Sequence, residues 1–302
     1  MGKDLNSIGI GLDFGTSNSA AAWFDGANVH RIALEPDAEI TPTAVHLNRE
    51  LNAKTGREAI AQYIEENRDR IVELTPEVVA HASLLTGEGA GDDPFAQPEV
   101  STSAVYGAAV IDRGLPGRLF RGVKRLIGQA EIKRLMVFDH PFRLVALMTP
   151  MFKAMRMAIE MAVSEWDNQI VIGRPVQFEG PVDADRVALS RLQEAAEYAG
   201  LRAARFYPEP LAATLSYLHS RNRALSFANE AGVAFTFDFG GGTLDLSLVH
   251  YQGVEMTVLG TAGLPLGGDH IDQLMFKQFV SPELGQGERW VRRVDGEMID
   301  TE

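Results

Sequence analysis

At 302 residues with 45% hydrophobic content, the chain is long enough to bury a sizeable core and to form one large or two ordinary domains. A net charge of −13 argues against the basic footprint that nucleic-acid backbones recruit, and the lack of cysteine rules out a disulfide framework or a thiolate metal site. No apolar run approaches the ~20 residues that span a bilayer, and Met1–Ser7 is too polar for a signal peptide, so the expectation is a soluble cytoplasmic protein with neither nucleic acid nor membrane as partner.

In chain order, Ile8–Trp23 (IGIGLDFGTSNSAAAW) reads as a strand, a tight turn and a second strand, with Asp13, an aromatic residue and Gly15 entering the turn and Thr16 and Ser17 leaving it. It is not a P-loop, because no lysine follows the glycine and the segment leads into a strand. Val29–Leu34 and Ala44–Leu47 read as short strands around a loop with Pro36 and Pro42, so the chain opens with antiparallel β-structure. Gly56–Leu74 has helical spacing, with Ile60, Tyr63, Ile64 and Ile71 on one face. Thr86–Ser103, rich in Gly, Asp, Pro and Ser without a period, is expected to be a surface loop or insertion. Residues 119–127 form a short basic helix or turn, and residue type alone puts Lys124 and Arg125 on a solvated face. Leu147–Trp166 is a strong helix whose regularly spaced methionines are core fillers. Its Pro150 either stands in the first turn of a helix capped by Thr149 or kinks a longer one.

Gln169–Ile172 is a buried strand. Asp183 is expected to cap a helix running to Ala199, with Val187, Leu192, Ala195 and Ala196 inward and Gly200 just past its end. A strand at Ala204–Tyr207 leads into Pro208-Glu209-Pro210 and a helix through Leu218; such alternation implies parallel strands beside the opening antiparallel ones. Glu209 reads either as a carboxylate serving the helix dipole or as a site residue at a strand end. The second hairpin, Phe235–Val249 (FTFDFGGGTLDLSLV), repeats the grammar of the first. Gly240, Gly241 and Gly242 remove every Cβ from its turn, while Asp238, Thr243 and Asp245 supply oxygen ligands. One such turn is as readily an ordinary hairpin as an anion cradle. Two in one chain suggest two related lobes facing each other across a phosphate.

The ordered set GLDFGTSNS, VKRLIG, VIGRPVQF, PEPLAATLSYL, FDFGGGTLDLSL and LGGDHID resembles the ATPase domain of the seventy-kilodalton heat-shock protein family, especially its short bacterial members, within the actin and sugar-kinase superfamily. The resemblance runs from about Ser7 to Val280 and implies an α/β, actin-like ATPase fold with ribonuclease-H-like lobes. Residues 1–221 would form a complete first lobe and residues 222–302 a partial second one. It implies ATP or ADP with Mg²⁺ as cofactors, with Asp13, Asp238 and Glu209 acting on the metal mostly through water. Gly15, Thr16, Ser17 and Asn18 would match the first phosphate loop, Gly240, Gly241, Gly242 and Thr243 the second, and Gly267, Gly268 and Asp269 a further segment near the phosphates. Lys124 would be the catalytic lysine, with Glu209, Asp13, Asp238 and Thr243 completing the catalytic set.

The resemblance has departures. After LGGD the family continues into the adenosine-binding part of its second lobe, for which no equivalent is expected here, and Ser281–Glu302 is expected to align with nothing in the family. The second lobe is therefore expected to be truncated, with three antiparallel strands and one helix, Asp269–Phe279. The function implied is slow ATP hydrolysis by a chaperone-like protein with client or co-chaperone partners of unknown identity. Two alternatives stand beside it: a scaffold or regulatory module with weak or no nucleotide binding, and an actin-fold small-molecule kinase.

Overall fold

The computed structural model describes residues 9–71, 74–86, 99–112, 114–166, 169–178, 180–222, 230–264, 266–286, 290–294 and 297–301. The chain opens as a meander in which β1 (Gly9–Phe14), β2 (Asn18–Phe24) and β3 (Val29–Ile32) pair antiparallel in turn, and β4 (Ile40–Pro42) pairs with the start of β2. β5 (Ala44–Asn48) and β6 (Ala53–Thr55) form a second small sheet, and α1 (Gly56–Asn67) packs on it. A long hairpin of β7 (Leu74–Thr86) and β8 (Glu99–Asp112) intervenes before β9 (Gly117–Arg121) returns to pair with β5. The short 3₁₀ helix Val123–Leu126 follows, then the hairpin β10 (Leu135–Val137) and β11 (His140–Phe142), and helix α2 (Leu144–Ala162).

Alternation then takes over with β12 (Gln169–Arg174), α3 (Ala184–Tyr198), β13 (Arg202–Pro208) and α4 (Glu209–Asn222). β12 lies parallel to β1, with Val171 opposite Gly11, and β13 lies parallel to β12. The sheet order is β13-β12-β1-β2-β3, so β1 is central. This mixed α/β sheet, parallel on one side of β1 and antiparallel on the other, is that of an actin-like ATPase lobe. The period of two in β1 sends Ile10, Leu12 and Phe14 into the core, where Met148, Met151, Phe152 and Met155 of α2 meet them. Phe14 stacks on Phe152 at 4.9 Å between ring centroids, which fixes the end of β1 just before its turn. α3 ends in a Schellman motif: Leu201 N–H donates to Ala196 O, Gly200 N–H donates to Glu197 O, and Gly200 has φ +81°.

A second sheet of β14 (Ala231–Phe239), β15 (Leu244–Gln252) and β16 (Glu255–Leu264) is antiparallel throughout. One face lies against α4, burying Ser247, Val249, Thr214 and Leu218, with Thr214 and Thr236 joined by their hydroxyls at 3.4 Å. On the opposite face Val233, Phe235, Phe237, Phe239 and Leu248 are exposed. α5 (Gly268–Met275) continues into a π-turn, Phe276–Val280, and a 3₁₀ turn, Pro282–Leu284. β17 (Trp290–Val294) and β18 (Glu297–Thr301) pair with each other.

Several expectations are corrected. The helix read as Gly56–Leu74 stops at Asn67; its most buried members are Gly56 and Ala59, while Ile64 and Ile71 are exposed. Of the loop expected over Thr86–Ser103, residue 86 instead ends β7 and residues 99–103 belong to β8, while residues 87–98 lie outside the described residues. Val100 and Thr102 are β-branched and favour a strand over a loop. The methionine helix begins at Leu144, so Pro150 is interior rather than in the first turn, and Met157 and Met161 are exposed while Met148, Met151 and Met155 are buried. Asp183 makes no side-chain cap to α3; its carboxylate accepts from Arg186 instead, and Asp185 accepts the Phe178 N–H.

The uncovered second sheet has a measurable consequence. Hydrogen exchange is expected to be at least about 10-fold faster for the edge-strand amides of Val233–Phe239 than for Ile170–Gly173 of β12, which is flanked by strands on both sides. Equal protection would show that the second sheet is covered by something other than α4.

Candidate functional site

The first glycine turn joins β1 to β2. A Cβ on Gly15 would run into the Asn18 carbonyl, so only glycine permits a turn this tight there. Its far side is held by Thr43, whose N–H donates to Ser17 O at 2.8 Å and whose hydroxyl meets that of Ser19 at 2.7 Å. The second turn joins β14 to β15. Gly240 N–H donates to Thr243 O at 2.9 Å, while Gly268 N–H and Asp269 N–H donate to Gly240 O and Gly241 O at 3.0 and 2.9 Å. Gly267 lies directly against the Gly241 and Gly242 backbone, where a Cβ would not fit. The two turns touch, since a Cβ on Gly241 would run into the Ser17 side chain.

The 3₁₀ helix Val123–Leu126 brings a cation to the same place. It is entered through Gly122 at φ +66°, a left-handed conformation that suits glycine, and the Thr16 methyl lies 3.9 Å from where a Cβ on Gly122 would stand. Lys124 Nζ donates to Glu209 Oε1 at 2.8 Å, with the lysine side chain only 9% exposed. Glu209 opens α4 and rests on Gly173 at the end of β12, where a Cβ would come within 3.3 Å of its Cγ. On the helix's other side Arg191 of α3 donates to the carbonyls of Leu126, Ile127, Gln129 and Ile132, four acceptors from one guanidinium. Those carbonyls follow Lys124 in the chain, so α3 anchors the segment that carries it.

Asp13 and Asp238 end corresponding strands of the two sheets and stand in the field of this pair. The Asp13 carboxyl is open to solvent on one side, yet crowding by protein limits its hydration and pushes it above the usual carboxylate range; Glu209 and Asp238 push the same way and Lys124 opposes them. Asp238 is raised for the same first reason, with Glu209 and Asp245 adding repulsion and Lys124 again opposing. Three carboxylates against one ammonium leave a negative excess, a donor set of hard oxygens that suits a hydrated divalent cation. Among the described residues, no group of three His, Asp or Glu side chains is placed to ligate a metal ion directly.

The fold therefore brings together Asp13, Lys124, Glu209 and Asp238, with Gly15, Thr16 and Ser17 on one side and Gly240, Gly241, Gly242, Gly267, Gly268 and Asp269 on the other. Asn18 is the exposed first residue of β2 and contributes its carbonyl under Gly15. Thr243 directs its hydroxyl to Asp245 at 2.7 Å. Sequence reasoning left Arg125 on a solvated face, whereas its Nη2 donates to Gly242 O at 3.0 Å. It also passed over Arg191 and Thr43. No local signal marks either, because their partners lie far away in sequence.

Residues 124–289, more than half of the chain, match the family described as Hsp70 protein, which corrects the expectation that nothing from Ser281 onward aligns with it. The chain belongs to the Hsp70 family. Similarity to individual Hsp70 relatives is low but extended. The chain is 26% identical over 294 residues to the chaperone protein HscA of Citrobacter koseri, covering 97% of this chain and 41% of that protein. It is 29% identical over 272 residues to the HscA homolog of Pasteurella multocida, covering 89% of this chain and 37% of that one. It is 27% identical over 273 residues to a mitochondrial heat shock 70 kDa protein of Solanum tuberosum, covering 90% and 34%. The chain thus spans about two fifths or less of the length of these Hsp70 relatives. Among the described residues, no helix is long and apolar enough to cross a membrane.

The raised Asp13 carboxyl makes a signed prediction. A carboxyl whose folded pKa lies above its ordinary value of 3.8 takes up its proton more readily when folded, so it costs stability progressively as pH rises through that window. Asp13→Asn is therefore expected to raise the melting temperature of the ligand-free protein at pH 7 and to lose that advantage below about pH 4. Thermal unfolding at both pH values measures it, and an Asp13→Asn protein less stable at pH 7 would contradict the electrostatic account.

Proposed function

We propose that this chain is an Hsp70-like protein that binds ATP and ADP with Mg²⁺ and hydrolyses ATP slowly, and that it serves protein folding in the cytoplasm with client or co-chaperone proteins as partners. What carries the reading is the meeting of Lys124, Glu209, Asp13 and Asp238 beside two glycine turns. Phosphoryl transfer asks mainly for positioning and for charge stabilisation, and this set provides both. Support also comes from the family match and from relatives named as chaperones.

In this reading the turn amides around Gly15–Ser17 and Gly240–Thr243 hold phosphate oxygens, and Gly267, Gly268 and Asp269 brace the second turn. Asp13, Asp238 and Glu209 would hold Mg²⁺ mostly through its waters, and the metal would neutralise phosphate charge. Lys124, kept extended by Glu209, offsets negative charge that grows at the γ-phosphate. Asp13 and Asp238 also gain, because a divalent cation would offset the poor hydration and the repulsion that raise them both.

A second reading, a scaffold or regulatory module that binds nucleotide weakly or not at all, is favoured by one observation. Ser17 lies against Gly241, so a phosphate entering between the turns must first move that side chain. Calorimetry of the 302-residue chain with Mg·ATP separates the two. Low-micromolar binding supports the first reading, and absence of binding at millimolar nucleotide supports the second.

Substitution tests the roles. Asp13→Asn and Asp238→Asn are each expected to weaken Mg-dependent nucleotide binding by roughly 10- to 100-fold. Lys124→Ala is expected to lower hydrolysis by more than it lowers affinity, since its ammonium interacts more strongly with the transition state than with bound ATP. Single-turnover phosphate release beside a binding titration decides it. Equal losses in both would make Lys124 a binding residue.

A further inference from the structure

Lys124 and Arg125 are neighbours in one 3₁₀ turn, yet they reach in different directions. Lys124 bonds Glu209 at the start of α4, within the first lobe, while Arg125 crosses to the second sheet and donates from Nη2 to Gly242 O at 3.0 Å. The guanidinium also lies flat enough on Gly242 that a Cβ there would come within 2.8 Å of Nε and 3.2 Å of Cζ. A side chain at Gly242 would therefore have to displace the guanidinium.

The remaining carbonyls of that turn are engaged as well. Gly240 O and Gly241 O accept from Gly268 and Asp269 N–H, and Thr243 O accepts from Gly240 N–H. In a trans peptide the carbonyl of one residue and the N–H of the next point in opposite directions across one rigid plane. Holding Gly240 O and Gly241 O from the α5 side therefore turns the Gly241 and Gly242 N–H groups away from α5. Holding Gly242 O from Arg125 sets the Thr243 N–H in the same way. Two of the three peptide planes are fixed from within the second lobe, and the third is fixed from the first lobe.

We propose that Arg125 is a positioning residue that straps the second glycine turn to the helix bearing Lys124, so that the Thr243 amide and the Lys124 ammonium are aligned on one bound polyphosphate. The role rests on the nucleotide reading given above for its ligand, but the strap itself does not. Arg191 supplies the rigid end, because its four carbonyl contacts hold the residues just after Arg125. A shift of either lobe then moves the lysine and the turn together.

The test uses the 302-residue chain in two arms. In the first, without ligand, hydrogen exchange compares the wild type with Arg125→Ala and Arg125→Lys at the Gly240, Gly268 and Asp269 amides, with Ile170–Gly173 as an internal control. Arg125→Ala is expected to speed exchange at the turn and leave the control unchanged, and Arg125→Lys, which keeps one donor, to restore part of the protection. In the second, Mg·ATP and Mg·pyrophosphate are titrated. Arg125→Ala is expected to weaken both by roughly 10-fold, the size of a lost charged hydrogen bond, with Arg125→Lys intermediate. Unchanged exchange at the turn in Arg125→Ala overturns the strap. Faster exchange with unaltered polyphosphate affinity, in a wild type that binds, overturns the positioning role. A wild type that binds neither ligand instead sinks the nucleotide reading, and exchange alone then decides whether Arg125 holds the turn.

Discussion

A single ammonium organises the cleft. Lys124 Nζ sits 2.8 Å from Glu209 Oε1 and opposes the repulsion among Glu209, Asp13 and Asp238, three carboxylates delivered by a helix start and by two strand ends. Without it, like charges would accumulate where the two sheets meet, in surroundings that hydrate them poorly. The architecture around it follows from that need. Gly122 in its left-handed conformation turns the chain so that the lysine can enter, Gly173 leaves room for Glu209, and Arg191 secures the carbonyls beyond. Each is a small backbone concession made for one charge cluster.

Much of this was legible in the sequence. Alternation in β1 and β14, the Asp-aromatic-Gly order and the glycine runs are local patterns, and the chain reverses at both of the turns they mark. Lys124 and Glu209 were different. Residue type left one on a solvated face and the other between two readings, and only resemblance to a family tied them together; 85 residues separate the partners. Arg125 and Arg191 gave no signal, since each bonds backbone carbonyls far away in sequence, 117 residues away for Arg125. β7 and the start of β8 were obscured by the Gly, Asp and Pro residues that lie between them in sequence, and the end of α1 by apolar residues, Ile64 and Ile71, that are exposed.

The second sheet shows how strongly an apolar pattern can exceed its local use. α4 covers one face and buries Val249 and Ser247 there, so this helix serves both sheets and ties them mechanically. The opposite face carries Val233, Phe235, Phe237 and Phe239 in the alternation of a strand with one apolar face, and each is exposed. The bulkier apolar face of β14 is thus the one that α4 does not cover.

The central position of β1 bears on how the protein is made. Its antiparallel partner β2 follows after a three-residue turn, but its parallel partner β12 pairs Val171 with Gly11, and so does not exist until most of the first lobe has been synthesised. At ribosomal rates of roughly 5–20 residues per second, the β1 edge waits on the order of 10 to 30 s. During that interval Ile10, Leu12 and Phe14 also lack the helix that will cover them until α2 emerges. The nascent chain therefore passes through a stage in which a short apolar meander with an open edge is tethered to the ribosome. A protein of a chaperone family is, while it is being made, the kind of polypeptide that chaperones hold.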